Sequence, residues 1–177
     1  MLYDSFDPAP KALINPEDHH SLIPGFPEIC IMAFSKHIVE QCLERYGGEP
    51  IAWVKFCTGE VPIYRVEIDG TPIALSLPHV GGPTASTFIE EVWPRGGKCF
   101  VFFGAAGVLD STIPLNSFLL PTAAVRDEGL SYHYMAPSGE VELDPACVAA
   151  CRGALESLGL PYRRGQTWTA DAFDRAA

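Results

Sequence analysis

A short polar segment in the last third of the chain brings together side chains that could hold a ligand. Residues 121–134 read PTAAVRDEGLSYHY, so a cation, two carboxylates, a glycine, a hydroxyl, a phenol and an imidazole lie close together in the sequence. The guanidinium donates hydrogen bonds, the carboxylates accept them, and the glycine allows a positive φ. A generic core strand does not contain this combination of polar and aromatic groups, so we interpret the segment as part of a binding site.

The candidate pocket residues are five side chains of this segment and one aspartate of the later stretch TWTADAF (167–173). They are Arg126, Asp127, Glu128, Tyr132, His133 and Asp171. The three charged residues 126–128 could equally form a structural network, because buried charges are held in pairs. Tyr132 and His133 could equally be packed rings with one polar tip. Their clustering favours the site.

Two loops rich in small residues could bring a ligand close to the backbone. The loop HVGGP (79–83) follows a strand-like stretch, and a helix is predicted to begin after it, at Thr84 or Ser86. Backbone N–H groups at a helix N-terminus favour anions. The second loop, GAAG (104–107), follows the apolar stretch 98–103, and its small residues admit close approach.

Alternating strand-like and helix-like segments must position these loops, and this alternation predicts a mixed α/β protein. Strands are predicted at residues 28–34, 52–58, 61–68, 71–77, 98–103, 118–124 and 162–169. Asp69-Gly70 suits a type I′ turn and predicts an antiparallel hairpin. Further helices are predicted between Ser35 and Gly47 and between Asp144 and Gly159.

Composition predicts one globular domain at residues 28–177, preceded by a proline-rich arm at residues 1–27. Of the 177 residues, 47% are hydrophobic and 19% are charged. The formal net charge of -10 argues against nucleic acid and anionic membranes as partners. The chain shows neither a signal peptide nor the roughly 20 apolar residues of a membrane-spanning helix. A soluble, cytoplasmic protein is therefore expected.

Cysteine and histidine spacing predicts no metal site. The six cysteines lack a Cys-x-x-Cys pair, so most are expected to be reduced core residues. Cys147 and Cys151 would share a helix face, where packing is favoured over ligation. His19 and His20 are most simply a solvated pair. Phe100, Phe102 and Phe103 are expected in a strand buried on both faces.

The order of five motifs resembles that of the nucleoside phosphorylase superfamily, and within it the uridine phosphorylase-like branch. The motifs are VEIDG (66–70), HVGGPTAS (79–86), GAAG (104–107), TAAVRDEGLSYH (122–133) and TADAF (169–173). The resemblance runs from about Glu28 to the end of the chain. It implies a three-layer α/β/α fold around a mixed central β-sheet, with the family's C-terminal part absent.

This resemblance also implies an activity, namely that of a glycosyltransferase (pentosyltransferase) in nucleoside salvage. Such an enzyme cleaves the N-glycosidic bond of a uridine or purine nucleoside with inorganic phosphate, giving the base and ribose-1-phosphate. It needs no cofactor or metal, and its partners are nucleoside, phosphate and further copies in a homo-oligomer. By motif position, the phosphate and ribose side would be lined by Gly81, Gly82, Gly104, Ala105, Ala106 and Gly107. Phe173 would stack on the base.

The chain departs from the family at the phosphate end. His37 and Phe102 stand where the family has phosphate-binding arginines, Ala105 replaces a hydroxyl, and Gly59 replaces an arginine lent by a neighbouring subunit. A phosphate would then depend on backbone amides and on Lys36.

The family's chain also continues through base-binding and ribose-binding residues beyond this point, so an exposed apolar flank is expected. The alternatives are hydrolysis by water and a catalytically silent nucleoside-binding or fragment form. A silent domain could also pair with a chain that supplies the missing part.

Overall fold

The computed structural model describes residues 6–9, 11–115 and 117–172, and the chain divides into two compact units. The five-strand unit comprises residues 9–106, and the three-strand unit comprises residues 1–8 together with the chain from Gly107 onward. The five-strand unit contains β1 (Ile29–Ala33), α1 (Lys36–Tyr46), β2 (Glu49–Phe56), β3 (Gly59–Ile68), β4 (Thr71–Ser76), α2 (Gly82–Val92) and β5 (Cys99–Phe103). The three-strand unit contains β6 (Phe118–Asp127), β7 (Glu140–Glu142), α3 (Pro145–Ser157) and β8 (Tyr162–Ala170).

The five-strand sheet is mixed and has the strand order β2-β3-β4-β1-β5. Strands β4, β1 and β5 are parallel, with Ile29 paired to Ile73 on one side and to Cys99 on the other. Strands β2, β3 and β4 are antiparallel neighbours. In the turn between β3 and β4, Asp69 and Gly70 have φ angles of 50° and 76°, the left-handed pair that a type I′ turn needs. The predicted hairpin is confirmed.

Local sequence explains the position of α1. The Ser35 hydroxyl accepts a hydrogen bond from the Ile38 N–H at 3.4 Å, which caps the first turn. Gly47 has a φ of 69° and donates its N–H to the Leu43 carbonyl, which ends the helix. Both predicted ends of this helix are therefore confirmed.

The two helices of the five-strand unit cover opposite faces of its sheet. Val39 of α1 packs in a cluster with Ala33, Val66, Ile73 and Leu75. Phe88 and Val92 of α2 belong to the other cluster, with Cys30, Met32, Val54, Ile63 and Ala74. Successive strand residues point to opposite faces, so neighbours such as Met32 and Ala33 fall in different clusters. The expected mixed α/β architecture is confirmed, with three layers in this unit.

The three-strand unit has a second mixed sheet with the order β7-β6-β8. Strands β6 and β8 are parallel and pair Arg126 with Thr169 and Asp127 with Ala170, whereas β7 is antiparallel to β6. The predicted cap of α3 is confirmed, because the Asp144 carboxylate accepts the N–H groups of Ala146 and Cys147. Among the described residues, no helix has the length and apolar content needed to cross a bilayer.

Helix α2 begins earlier than predicted. Its N-cap is Gly81 and its first residue is Gly82, not Thr84 or Ser86. The hydroxyls of Thr84 and Ser86 donate to carbonyls three residues back, and both residues lie inside the helix. Pro83 accounts for the shift, since its fixed φ suits the start of a helix.

Strand β5 is more exposed than its apolar sequence predicts. Phe102 and Phe103 are 38% and 40% exposed, so the expectation that both are core residues is wrong. Phe100 is partly buried against the core cluster that contains Cys30. The physical reason is that β5 is the edge strand of its sheet and pairs only with β1.

The cysteines differ from expectation in a similar way. Cys30 is fully buried and Cys42 is half-buried. Cys57, Cys99, Cys147 and Cys151 are exposed, so the expectation that most cysteines lie in the core is wrong. Apolar neighbours in sequence do not bury a residue on the outward face of an edge strand or a surface helix.

Part of the expected N-terminal arm packs on the five-strand unit. Phe26 is 7% exposed and belongs to the same core cluster as Phe88. The Ile23 N–H donates to the Arg95 carbonyl, and the Arg65 guanidinium donates to the Gly25 carbonyl at 2.7 Å. The boundary at residues 27 and 28 stays a prediction.

Candidate functional site

One candidate site lies at the carboxyl ends of the parallel strands in the five-strand unit. Because β4, β1 and β5 run in the same direction, the segments that follow them emerge at one edge of the sheet. These segments are the loop 79–83, Phe34 and Gly104. Open α/β sheets bind ligands at this edge. The fold therefore places the loop 79–83 and Gly104 at the same edge of the sheet.

The loop after β4 leads directly into the N-terminus of α2. Gly81 has a φ of 122°, which a side chain would disfavour, and its carbonyl accepts the N–H of Ala85. The Thr84 hydroxyl donates to the carbonyls of His79 and Gly81 at 3.0 and 2.9 Å. These bonds fix the loop while the first N–H groups of the helix have no partner within it. Gly81 and Gly82 thus present backbone donors at the sheet edge.

The loop after β5 is apolar where it begins. Gly104 lies against Phe34, and a Cβ at this position would meet that ring at 3.3 Å. The rings of Phe34 and Phe102 are stacked, with centroids 6.0 Å apart. Ala105 and Ala106 are exposed and lie outside regular structure. Gly107, the last residue of the motif, falls in the other unit.

The cationic residues near this edge are weakly placed for binding an anion. The Lys36 ammonium lies 3.5 Å from the Glu40 carboxylate, and the Lys36 side chain is 76% exposed. His37 is exposed in the first turn of α1. Neither residue supplies the bidentate fork that an arginine gives a phosphate.

In the three-strand unit, Arg126 is the centre of a hydrogen-bond network. It is only 5% exposed, although it lies next to the last residue of a strand and carries a charge. The guanidinium donates to the Ser131 and Ser138 hydroxyls at 2.8 and 2.7 Å, and to the Ala136 carbonyl at 2.8 Å. It lies over the Tyr132 ring at 4.3 Å, and the Tyr132 hydroxyl donates to the Arg126 carbonyl at 2.9 Å.

Glu128 binds the same loop from its other end. Its carboxylate accepts the N–H groups of Leu130 and Ser131 at 2.8 and 2.9 Å and also accepts the Ser131 hydroxyl. Burial favours the neutral acid, but the hydrogen bonds from Ser131 and Leu130 and the charge of Arg126 outweigh burial. Together they hold the pKa of Glu128 below its ordinary value of 4.5.

Two contacts join this network to the end of β8. The Gly129 N–H donates to the Asp171 carboxylate at 3.0 Å. The Trp168 indole N–H donates to the Asp127 carboxylate at 3.0 Å, which gives Trp168 a polar partner that the sequence could not assign. His133 is exposed in the 3₁₀ turn Ser131–His133. The structure thus brings together five of the six predicted pocket residues, while the pocket role of all six stays a prediction.

The predicted base-stacking residue, Phe173, lies outside the described residues. Sequence reasoning did not select Ser131 and Ser138, although both bind the Arg126 guanidinium. Ser131 had a signal, because a hydroxyl three residues after a glutamate is within reach of its carboxylate. Ser138 had none, since it approaches Arg126 only through the fold of the loop.

His20 and His19 differ in environment. His19 is exposed, whereas His20 is half-buried, with Nδ1 3.3 Å from the Arg95 guanidinium and Nε2 3.8 Å from the Glu91 carboxylate. The interpretation of both as a solvated pair is therefore wrong for His20. An open cavity of about 540 Å³ next to His20 and Lys98 lies at the amino ends of the strands, away from the loops. Among the described residues, no three His, Cys, Asp or Glu side chains are grouped to hold a metal.

A mixed sheet with parallel strands and flanking helices defines an open-sheet α/β protein. The family model described as "Phosphorylase superfamily" matches residues 28–176. The chain therefore belongs to the phosphorylase superfamily, and its mixed five-strand sheet with flanking helices is consistent with the nucleoside phosphorylase fold.

Several curated proteins are similar to the chain. It is 31% identical to a uridine phosphorylase of Escherichia coli over 114 residues, which are 64% of the chain and 45% of that protein. It is 33% identical to a uridine phosphorylase of Thermococcus kodakarensis over 104 residues, 59% of the chain and 38% of the relative. It is 25% identical to a guanosine phosphorylase of Halorubrum lacusprofundi over 114 residues, 64% of the chain and 47% of the relative. The chain spans less than half the length of these relatives.

Proposed function

We propose that this protein acts on a nucleoside, by phosphorolysis of its N-glycosidic bond to give the base and ribose-1-phosphate. The observation that carries the proposal is the family match over residues 28–176. The arrangement of the loop 79–83 and Gly104 at one sheet edge supports it, because a ligand at this edge meets backbone donors. Uridine is the first substrate to test, since uridine phosphorylases are among the similar proteins. A purine nucleoside is the second.

The proposed reaction depends mainly on the positioning of the nucleoside and the phosphate and on electrostatic stabilisation. Cleavage passes through an oxocarbenium-like sugar, which phosphate attacks while the base departs. In this proposal Gly81, Gly82 and residues 104–107 line the phosphate and ribose side, where their small size admits the ligand. Phe173 stacks on the base. Inorganic phosphate is a co-substrate, and the reaction takes place in a soluble, cytoplasmic homo-oligomer without a metal or cofactor.

A second candidate function is phosphate-independent binding or hydrolysis of a nucleoside. It is favoured by the stacked pair Phe34 and Phe102, 6.0 Å apart, at the edge where a phosphate would need cations. Lys36 interacts with Glu40, and Ala105 has no hydroxyl. An aromatic pair attracts a dianion far less than a guanidinium does.

The test is a panel of uridine, inosine, adenosine and thymidine, incubated with and without phosphate, with base release measured by chromatography. Phosphorolysis predicts release that depends on phosphate and yields ribose-1-phosphate. Release without phosphate would support hydrolysis, and saturable binding without turnover would support a silent binder. No binding of any nucleoside would contradict both proposals.

The variant Phe173→Ala tests the proposed base contact. Loss of a stacking ring costs on the order of 1 kcal/mol, so nucleoside affinity should fall by about five- to tenfold. The matched control is Phe118→Ala, which removes a ring that is 38% exposed in β6. If the two variants bind alike, Phe173 has no stacking role.

A further inference from the structure

The contacts of Arg126 go beyond what a surface charge network needs. Four of its hydrogen-bond acceptors lie in the segment 131–138, including the Met135 carbonyl at 3.4 Å. Arg126 itself lies in β6. One guanidinium therefore attaches the whole loop that follows β6 to the end of that strand.

The geometry requires an arginine in particular. The planar guanidinium donates along its edge to the two serine hydroxyls and the carbonyls, while its face lies 4.3 Å from the Tyr132 ring. A lysine ammonium has three donors on one atom and cannot reach acceptors on several sides. The substitution Arg126→Lys therefore keeps the charge and removes the loop attachment.

The loop held by Arg126 is also the one that contacts the residue following β8. Gly129 begins the loop and donates its N–H to Asp171, one residue beyond the end of β8. Gly129 lies in the chain between Glu128 and the two residues that the Glu128 carboxylate holds, Leu130 and Ser131. Arg126 also binds the Ser131 hydroxyl. The direction of the Gly129 N–H, and with it the position of Asp171, depends on the loop being fixed.

We infer that Arg126 is a positioning residue, which acts through the loop 128–138 and Gly129 to hold Asp171 in place just beyond the end of β8. The ligand, a nucleoside bound next to Asp171, rests on the proposed function. The positioning itself does not, because it concerns contacts within the three-strand unit.

The first test measures hydrogen exchange in Arg126→Lys and the wild-type protein. We expect exchange to rise by about tenfold or more both in peptides of the loop 128–138 and at Asp171, because the loop loses its attachment to residue 126 and Asp171 loses its fixed partner, the Gly129 N–H. The control, Arg152→Lys, changes an exposed arginine of α3, 4.0 Å from Glu156, and should leave both regions unchanged. Faster exchange in the loop with unchanged exchange at Asp171 would overturn the inference.

A second variant keeps the inference falsifiable if Arg126→Lys does not fold. Asp171→Ala removes the acceptor of the Gly129 N–H at an exposed side chain, whereas Asp171→Asn retains an oxygen acceptor. We expect Asp171→Ala to speed exchange at Gly129 by about tenfold and Asp171→Asn to restore most of the protection. Equal exchange in the two variants would overturn the inference.

Uridine titration separates this inference from the proposed function. With a wild-type protein that binds uridine, Asp171→Ala should raise the uridine Kd by about tenfold and Asp171→Asn by about twofold or less. A uridine Kd that is the same in all three proteins would overturn the role in ligand positioning. A wild-type protein that binds no uridine contradicts the proposed function with uridine, and the exchange experiments then decide the positioning alone.

Discussion

At the scale of single residues, Phe102 is the side chain that bears most directly on whether phosphate is used. It lies near the carboxyl end of β5, is 38% exposed and stacks on Phe34. Its neighbours at this edge include the N-terminus of α2, which favours an anion, but no described arginine forms part of the edge. A single cation here would add a charged donor beside the backbone donors at the N-terminus of α2.

We therefore predict that Phe102→Arg strengthens phosphate binding. A charge-assisted hydrogen bond contributes on the order of 1.5 kcal/mol or more, so the Kd for inorganic phosphate should fall by about tenfold. Val101→Arg is the matched control, because Val101 is equally exposed but points to the opposite face of the strand. Titration calorimetry with phosphate makes the comparison. An equal gain in both variants would show only a non-specific charge effect.

The thiols give a second prediction at this scale. Burial, with a smaller contribution from Cys99, raises the pKa of Cys30 to about 12. The thiolate is the reactive form, so Cys30 should react with a disulfide reagent on the order of a thousandfold more slowly than a thiol of ordinary pKa. The exposed Cys57 should be labelled before Cys30. Mass spectrometry after timed labelling of the native protein identifies the modified cysteines. Rapid labelling of Cys30 without unfolding would contradict its burial.

At the scale of elements, the loop 128–138 is held by a carboxylate as well as by Arg126. The pKa of Glu128 is lowered in the folded protein, so its ionisation stabilises the folded loop. Because the pKa is lowered, this stabilisation depends on pH in one direction. The stabilisation is present above the ordinary value of 4.5 and is lost as the pH falls through the lower pKa of the folded state.

We predict that the loop loosens in acid before the sheet unfolds. The loosening of the loop should be seen below about pH 4.5 as faster hydrogen exchange or as a change in the fluorescence of Trp168. The indole of Trp168 contacts Asp127. The variant Glu128→Gln keeps an acceptor but does not ionise, so its profile should be flatter over the same range. Identical pH profiles in the two proteins would show that Glu128 is not the titrating group.

Elements set by local sequence were the predictable part of the fold. Ser35 and Gly47 delimit α1, Asp69-Gly70 forms the hairpin turn, and Asp144 caps α3, because each depends on hydrogen bonds or φ angles within a few residues. The positions of the loops at the strand ends could be predicted from the alternation of strands and helices. Contacts made at a distance were not predictable.

The exposure of β5 and the hydrogen-bond network around Arg126 show why the other features could not be predicted from the sequence. The apolar residues of β5 suggest a buried strand, yet its place at the sheet edge is a property of topology. The same holds for the exposed Cys99. Arg126 was selected as a candidate, but its link to Ser138 depends on how the loop folds back over twelve residues.

At the scale of the whole molecule, charge governs association. The formal net charge is -10 and the isoelectric point is about 4.8, so the molecules repel one another at neutral pH. Exposed apolar side chains counteract this repulsion; they include Val101, Phe103 and Leu109. Apolar surface of this kind favours association when repulsion is reduced.

We predict a homo-oligomer at neutral pH whose self-association increases as the pH approaches about 4.8, because the net charge falls to zero there. Sedimentation velocity over a range of pH and concentration measures both effects. The double variant Val101→Ser and Phe103→Ser tests the contribution of β5 and should shift the distribution toward the monomer. A monomer at every pH and concentration would contradict the prediction.

The hairpin turn between β3 and β4 has a practical consequence for experiments on this protein. Asp69 and Gly70 are exposed, and a Cβ at Gly70 would meet no heavy atom within 4 Å. The turn lies at the amino end of β4, whereas the loop 79–83 follows the carboxyl end of the same strand. A biotin acceptor peptide inserted at the turn would therefore tether the molecule to a sensor surface with the candidate site directed toward the solution.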